Sequence, residues 1–409
     1  MAAQNSQGNH GVLRVLPRSG LRHHAPMHIP PSRRNVLQWL SGGTAVLGSG
    51  LAGSAWAQSD RSIVLGQSAA TTGPAAQLGL QMNHGARLCF DAVNAQGGIH
   101  GRQLQLKLLD DGYEPDRCKA NTEQFIREDV FALFGYVGTP TALAALPLVT
   151  QARIPFFGPF TGAQALRDPF NRHVFHVRAS YFDETALIVR QLTALGLNKI
   201  AVFKQNDSYG QAGLDGVLRA LSAINLEPVA VGGVARNSVD VDAAVQAIVA
   251  KQPDAVVQIS AYKSCAAFIR AAHKAGYAGT FYNVSFVGSQ ALADELGAEG
   301  RGVRISQVMP YPFSTTTAVS REYLEAVRAA GGTAKPNYSS MEGYVAAKVL
   351  VEGLRRAGRS LTRDGLITAL ESLQRFDVGG FQINFSPRSH VASQMVDLTM
   401  LTEDGRVKR

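Results

Sequence analysis

Several short stretches of this chain combine turns, hydroxyls and aromatic rings in a way suited to holding a small molecule. Gly135-Tyr136-Val137-Gly138-Thr139-Pro140-Thr141 leads from an apolar strand pattern into a helix pattern, with Thr139 expected as N-cap and Pro140 as the first helical residue. Free backbone N–H groups at such a start, together with the positive end of the helix dipole, can hold a carboxylate, although a cap with no ligand reads the same. Gly158-Pro159-Phe160-Thr161-Gly162 follows the next strand pattern. Asn206-Asp207-Ser208-Tyr209-Gly210, Ser260-Ala261-Tyr262 and Asn283-Val284-Ser285-Phe286-Val287 stand at equivalent places further on. Loops after parallel strands are where open α/β sheets bind ligands. A core tyrosine is the competing reading for both Tyr209 and Tyr262.

Covalent or metal chemistry has little support. The chain has no nucleophile elbow, and Gly97-x-x-x-Gly101-Arg102 lacks the lysine-hydroxyl end of a phosphate loop. His173 and His176 are three apart in a strand-like run, which would put them on opposite faces. Cys89, Cys118 and Cys265 are odd in number, widely spaced and set in helical patterns, which predicts buried, inert thiols rather than a disulfide framework. No enzyme activity and no cofactor is expected.

The elements that must position these loops alternate from Ser62 onward: short β-branched or apolar runs, then longer helical patterns, as in parallel sheets covered by helices. The first strand is read at Ile63–Gly66. A helix follows at Leu78–Asn94, ended by Gly97-Gly98, and then a strand at Gln103–Leu108 with one wet face. A second series of similar layout begins near Ser180. The fold class is therefore α/β, with two doubly wound parallel-sheet lobes.

The front of the chain reads differently. Met1–Ala57 holds five of the 40 Lys+Arg and none of the 31 Asp+Glu, and it ends in Ala55-Trp56-Ala57 after a mildly apolar Val36–Ala55. That is the layout of an export signal cleaved near Ala57, with a periplasmic address. Ser32-Arg33-Arg34-Asn35-Val36-Leu37-Gln38 looks like a twin-arginine signal. A Sec signal holding two arginines shares the pattern; the mild hydrophobicity favours the twin-arginine route. Without this segment 35 basic residues face 31 acidic ones, a net charge near +4 rather than +9. No basic stripe for nucleic acid remains. Trp39 and Trp56 leave with the signal, and about 352 residues remain, enough for two cored lobes.

Read together, Gly73-Pro74…Gly85-Ala86…Asn94…Gly97-Gly98-Ile99…Gly101…Asp110-Asp111 resembles the leucine-binding-protein family, the type I periplasmic receptors of ABC importers. The resemblance implies lobe 1 over 58–179 plus 313–381 and lobe 2 over 180–308 plus 386–409. It implies a three-strand hinge with crossings near 177–182, 308–313 and 381–386. Met309-Pro310-Tyr311-Pro312 suits a rigid linker there, and a surface loop equally. It further implies a small-molecule solute bound at Gly138, Thr139, Thr141, Phe160, Thr161, Tyr209, Tyr262 and Ser285, and an inner-membrane ABC permease as partner. A periplasmic sensor feeding a regulatory partner is the alternative, because both would share the cleft.

Three departures from the family pattern stand out. The disulfide of the leucine-binding relatives falls on Tyr113 and Gly138 here. Leu78 replaces a tyrosine after the Gly-Pro turn. Ser285 takes the place of the glutamate that pairs with an amino acid's ammonium. A buried ammonium without a carboxylate partner is costly. The departures therefore point to a carboxylate-bearing or neutral solute among Phe160, Phe286, Tyr209 and Tyr262, with Glu342 or Asp207 left as acids that could supply a charge.

Overall fold

Eight-residue registry between Ser62–Ala69 (β1) and Gln103–Asp110 (β2) starts the first sheet, with Ser62 opposite Gln103 and Ala69 opposite Asp110. On β2, Gln103 and Gln105 are exposed while Leu104 and Leu106 are buried, as their alternation predicts for an edge strand. Ala132–Phe134 (β3), Phe156–Phe157 (β4) and Val174–Phe175 (β5) complete a parallel sheet in the order β2-β1-β3-β4-β5. The structure, a computed structural model, describes residues 61–332 and 335–409. The expected export signal, the Arg33-Arg34 pair, the cleavage at Ala57 and both tryptophans lie outside the described residues.

The second sheet runs β14-β13-β10-β9-β8-β6-β7. Its parallel part is Ile200–Gln205 (β6), Ala230–Val234 (β7), Ala255–Ile259 (β8), Thr280–Asn283 (β9) and Arg304–Gln307 (β10). A hairpin of Asp397–Leu401 (β13) and Val407–Lys408 (β14) adds antiparallel to β10, and Phe376–Asp377 (β11) pairs with Gln382–Ile383 (β12) apart from both sheets. Strand order reverses at β1 in the first sheet and at β6 in the second. The loops after β1 and β3, and after β6 and β8, therefore flank the switch points where such sheets open a crevice.

Helices cover both sheets. Ala76–Ala95 (α1), Pro115–Arg127 (α2) and Thr139–Ala152 (α3) belong to the first sheet. Tyr181–Ala194 (α4), Ser208–Ser222 (α5), Asp242–Val249 (α6), Tyr262–Lys274 (α7) and Ser289–Leu296 (α8) belong to the second. Ala318–Ala330 (α9), Tyr338–Ala357 (α10) and Arg363–Glu371 (α11) return to the first. Helix α8 goes beyond the expected elements; its eight residues, just over two turns after the N-cap Gly288 at φ +78°, are too few for a helical period to stand out. Helices α1 and α10 approach through glycines: a Cβ on Gly85 would lie 1.7 Å from Ser340 O, and one on Gly343 2.1 Å from Met82 O. Gly343→Ala should cost about 1–3 kcal/mol in thermal or urea unfolding, since neither backbone can yield without separating the helices.

The Asn94–Arg102 junction is structural. The Asn94 side chain donates to Leu104 O and accepts from Leu104 N, both at 2.8 Å, tying the end of α1 to the edge strand. Gly98 at φ +76° has its Cα 's missing Cβ directed at Arg102 O, 2.0 Å away.

The chain leaves the first sheet after β5, returns after β10 and leaves it finally before β13. The stretch 381–386, expected as the third crossing, stays with the first sheet. Phe385 N donates to Leu373 O at 3.0 Å, and the Phe385 ring meets Phe157 and Phe175 at 6.3 and 5.2 Å. The alternation Phe381, Ile383, Phe385 is thus a core pattern rather than a hinge pattern. The chain runs beside the first crossing later, where Ala392 N donates to His176 O and His176 N to His390 O, each at 2.8 Å.

All three cysteines are free and buried. Burial pushes the Cys89 thiol up to about 12 and raises those of Cys118 and Cys265 as well. None should react with a disulfide reagent at pH 8 within minutes in the native protein, whereas all three should react in denaturant.

Candidate functional site

Positive φ at Gly135 (+61°) and Gly138 (+108°) turns the chain from β3 into α3. Gly138, not Thr139, is the N-cap, so Thr139 and Pro140 each sit one place further into the helix than expected. The shift matters because no side chain caps α3 and the Thr139 hydroxyl is left to pair with Thr161 Oγ1 at 2.6 Å. Thr161 Oγ1 also accepts from Ala163 N and lies 3.4 Å from the Tyr181 hydroxyl. Two buried hydroxyls thus meet beside the N-terminal end of a helix, a donor-rich place for a carboxylate. Thr141 is different: its hydroxyl turns back on Val137 O and Gly138 O at 2.6 and 3.0 Å.

Across the crevice, Asp207 caps α5 by accepting from Tyr209 N at 2.9 Å, which sets Tyr209 in the first turn. The fully buried Tyr209 ring lies 4.7 Å from Phe286 and 5.4 Å from Tyr181, and Phe286 lies 5.5 Å from Phe160. Four rings from both sheets therefore form one group. Tyr262 is not part of it; it opens α7, is 4% exposed, and its hydroxyl faces the Gln77 backbone at the start of α1.

The Asp110-Asp111 pair shapes the loop below. Asp110 accepts from Thr71 N, Thr72 Oγ1, Gly112 N and Arg117, and these donors outweigh burial to hold its carboxyl well below the usual range. Asp111, pushed up to about 6 by burial, accepts from Ser68 Oγ and Tyr113 N at 2.7 and 2.8 Å. Together they hold Tyr113 at φ +63°, a conformation uncommon for a tyrosine. Its ring fills the place where the leucine-binding resemblance implies a disulfide: a Cβ on Gly138 would lie 2.2 Å from Tyr113 Cε2. The ring reaches the second sheet as well, through Gln205 Nε2 at 3.2 Å and Phe286 at 5.9 Å. Leu78 makes a similar crossing, because a Cβ on Gly288 would lie 2.4 Å from Leu78 Cδ2.

A buried charge cluster completes the site, and Arg178 and Glu184 in it escape sequence reasoning. Arg178, at the first crossing, lies 3.6 Å from Glu184 Oε1 and 3.7 Å from Glu342 Oε1, all three side chains 5% exposed or less. Its guanidinium covers the Phe160 ring at 4.9 Å and donates through Nη2 to Ser285 Oγ. Glu184 accepts from Ser285 N, Ser285 Oγ and Ser306 Oγ at 2.7, 3.0 and 2.5 Å. Burial raises both acids, Glu342 to about 7, whereas Glu342 and Glu184 overcome burial to keep Arg178 above its ordinary pKa. The acid missing from the Ser285 loop is thus supplied from α4, but it is already engaged by three donors. The local signal nearest to them is a capping box, Ser180-x-x-Asp183, which specifies a helix start and not a site.

Near the rim, Arg236 bonds Glu114 at 2.7 Å and Asp207 at 3.3 Å, and Asn237 donates to Gly112 O and Glu114 Oε1 at 3.1 and 2.8 Å. Among the described residues no group of three His, Cys, Asp or Glu could hold a metal ion.

Two wound sheets joined by crossings, with their switch-point loops face to face, define a two-lobe solute-binding protein. The sequence model of the periplasmic binding protein family matches residues 62–406, and the chain belongs to that family, in its leucine-binding-protein-like type I form. It is similar to Leu/Ile/Val-binding protein homolog 8 of Brucella suis biovar 1, at 25% identity over 89% of this chain and 94% of the relative. Among solved structures it is similar to a possible leucine/isoleucine/valine-binding protein from Rhodopirellula baltica SH 1, at 35% identity and a TM-score of 0.80, covering 86% of this chain and 97% of that one. A substrate-binding periplasmic protein from Ralstonia solanacearum aligns at 32% identity and a TM-score of 0.80, covering 85% and 99%. This is a family of binding proteins rather than enzymes. Membership implies a small-molecule solute and a place outside the cytoplasm.

Proposed function

We propose that this protein is the extracytoplasmic receptor of an ABC importer. It is exported through a twin-arginine signal cleaved near Ala57, closes two lobes on one small carboxylate-bearing or neutral solute, and docks on an inner-membrane permease. The observation that carries the reading is the Thr139–Thr161 hydroxyl pair at 2.6 Å beside the uncapped start of α3, facing rings from the other lobe. Gly138, Thr139 and Thr161 hold the carboxylate; Phe160, Phe286 and Tyr209 cover the apolar body; Ser285 lies at the far polar end. Thr141 supports the loop, and Tyr262 braces the lobes against each other. The names of the relatives suggest leucine, isoleucine or valine, and the carboxylate end suits any of them.

Protein purified from the periplasm should retain a small carboxylate identifiable by mass spectrometry, and members of that class should raise its melting temperature. No retained solute and no shift across amino acids, oxo acids and aliphatic or aromatic carboxylates would overturn the reading. Closure adds a second expectation. Arg236→Ala removes a half-buried ionic clasp and should weaken solute binding about 3- to 10-fold, mainly through faster release measured by stopped flow.

A further inference from the structure

Arg178 brings five N–H donors into the interior on a side chain 1% exposed. One donates to Ser285 Oγ, while Nε and Nη1 have no hydrogen-bond partner among the described residues. The neighbouring carboxylates stand at ion-pair distance, 3.6 and 3.7 Å, rather than in hydrogen bonds. Tyr209, fully buried on the same ring group, also has a hydroxyl without a partner. It is connected to Arg178 through the rings: Tyr209 packs on Phe286, Phe286 on Phe160, and the guanidinium covers the Phe160 face. Buried N–H and O–H groups are nearly always hydrogen-bonded in native proteins, so three unpaired donor atoms on two residues of one ring group point to something that accepts.

Accepting capacity points the same way. An ammonium would add donors to a corner already holding a buried guanidinium, and Glu184 is taken by three donors. Glu342 retains accepting capacity, but it stands beside Arg178 Nε.

Resting on the receptor reading above, we propose that Arg178, Ser285 and Tyr209 form a subsite for a hydrogen-bond acceptor. The solute is then a carboxylate whose second polar group is an oxo or carboxylate oxygen, a 2-oxo acid or dicarboxylate, and not an α-amino acid. The guanidinium and the Tyr209 hydroxyl donate to that oxygen, while the Thr139–Thr161 end holds the first carboxylate.

The test is calorimetry on ligand-stripped protein with the amino, 2-oxo and 2-hydroxy forms of the alanine, valine, leucine, phenylalanine and glutamate skeletons, and the corresponding dicarboxylates. At least one oxo acid or dicarboxylate should bind about tenfold tighter than the amino acid of the same skeleton. Tyr209→Phe should reduce that preference at least about threefold with the ligand-free melting temperature unchanged. Amino acids binding as tightly as their oxo partners, or a preference untouched by Tyr209→Phe, would overturn the acceptor subsite and leave the receptor reading standing. Binding of none of them, with no solute retained from the periplasm, would overturn the receptor reading itself.

Discussion

Arg178→Met should lower the melting temperature of the ligand-free protein by roughly 6–10 °C at pH 8, from a loss of about 3–5 kcal/mol. Methionine keeps the length and much of the apolar contact with Phe160 but leaves two buried carboxylates without their cation. Glu184 retains three donors, so the larger penalty falls on Glu342. Adding Glu342→Gln to Arg178→Met should therefore recover stability, although Glu342→Gln alone changes the wild type far less. A double-mutant cycle should give a coupling of about 1–3 kcal/mol. Independent, additive losses would show that the three charges do not act as one cluster.

The same cluster sets a pH dependence whose sign can be worked out. Burial, partly offset by Arg178, lifts the folded-state pKa of Glu342 from 4.5 to about 7. The folded protein therefore binds the proton more tightly than the unfolded chain. The resulting stabilisation is fully present below pH 4.5 and is lost as pH rises through about 7. Glu184 and Asp111, also raised, act with the same sign. His84, His173, His176 and His390 are lowered chiefly by burial and act oppositely, favouring the folded state as pH rises. The difference in melting temperature between wild type and Glu342→Gln isolates the one group, with Arg178, Glu184 and Arg167 as its charged neighbours. Measured from pH 5.5 to 8, the wild type should lose ground steadily relative to the variant. A flat difference would mean that Glu342 titrates near its ordinary value.

Periodicity made the two wound sheets legible because long helices and central strands carry their own pattern. A strand of two residues such as β5 carries almost none and is defined by its neighbours, whereas β4 ends an apolar run, Ile154–Phe157, that is legible as a strand. The site divides in the same way. Thr139, Thr161 and Tyr209 stand at strand ends beside turn residues, so local chemistry marks their loops. Arg178 has partners 107 residues away at Ser285 and 164 away at Glu342, and a single sequence contains no trace of such pairing. Glu184 stands in the first turn of α4, where an acid favours the helix dipole on any helix and so marks no site. In the sequence Tyr113 differs from the family pattern only as a position that is not cysteine, whereas its ring is one of the main links between the lobes.

Gly138→Ala should expose how much depends on that ring. The new methyl would lie 2.2 Å from Tyr113 Cε2 and 2.9 Å from Thr141 Oγ1, at a φ of +108° that alanine rarely adopts. Tyr113 has little freedom to yield, being fully buried, at φ +63°, and held across the crevice by Gln205 and Phe286. Overpacking and backbone strain together should cost about 3–5 kcal/mol in urea unfolding. Tyr113→Ala in the same chain should relieve the overlap but not the strain, so the double variant should lose less than the sum of the two singles. Binding separates this glycine from Gly343, whose substitution disturbs only the packing of α1 on α10. Because displacing the Tyr113 ring alters both the start of α3 and the cross-lobe contact, Gly138→Ala should weaken solute binding more than about tenfold under conditions where it remains folded. Gly343→Ala should bind like the wild type. Equal binding by both glycine variants would mean that the ring serves only the core of its own lobe.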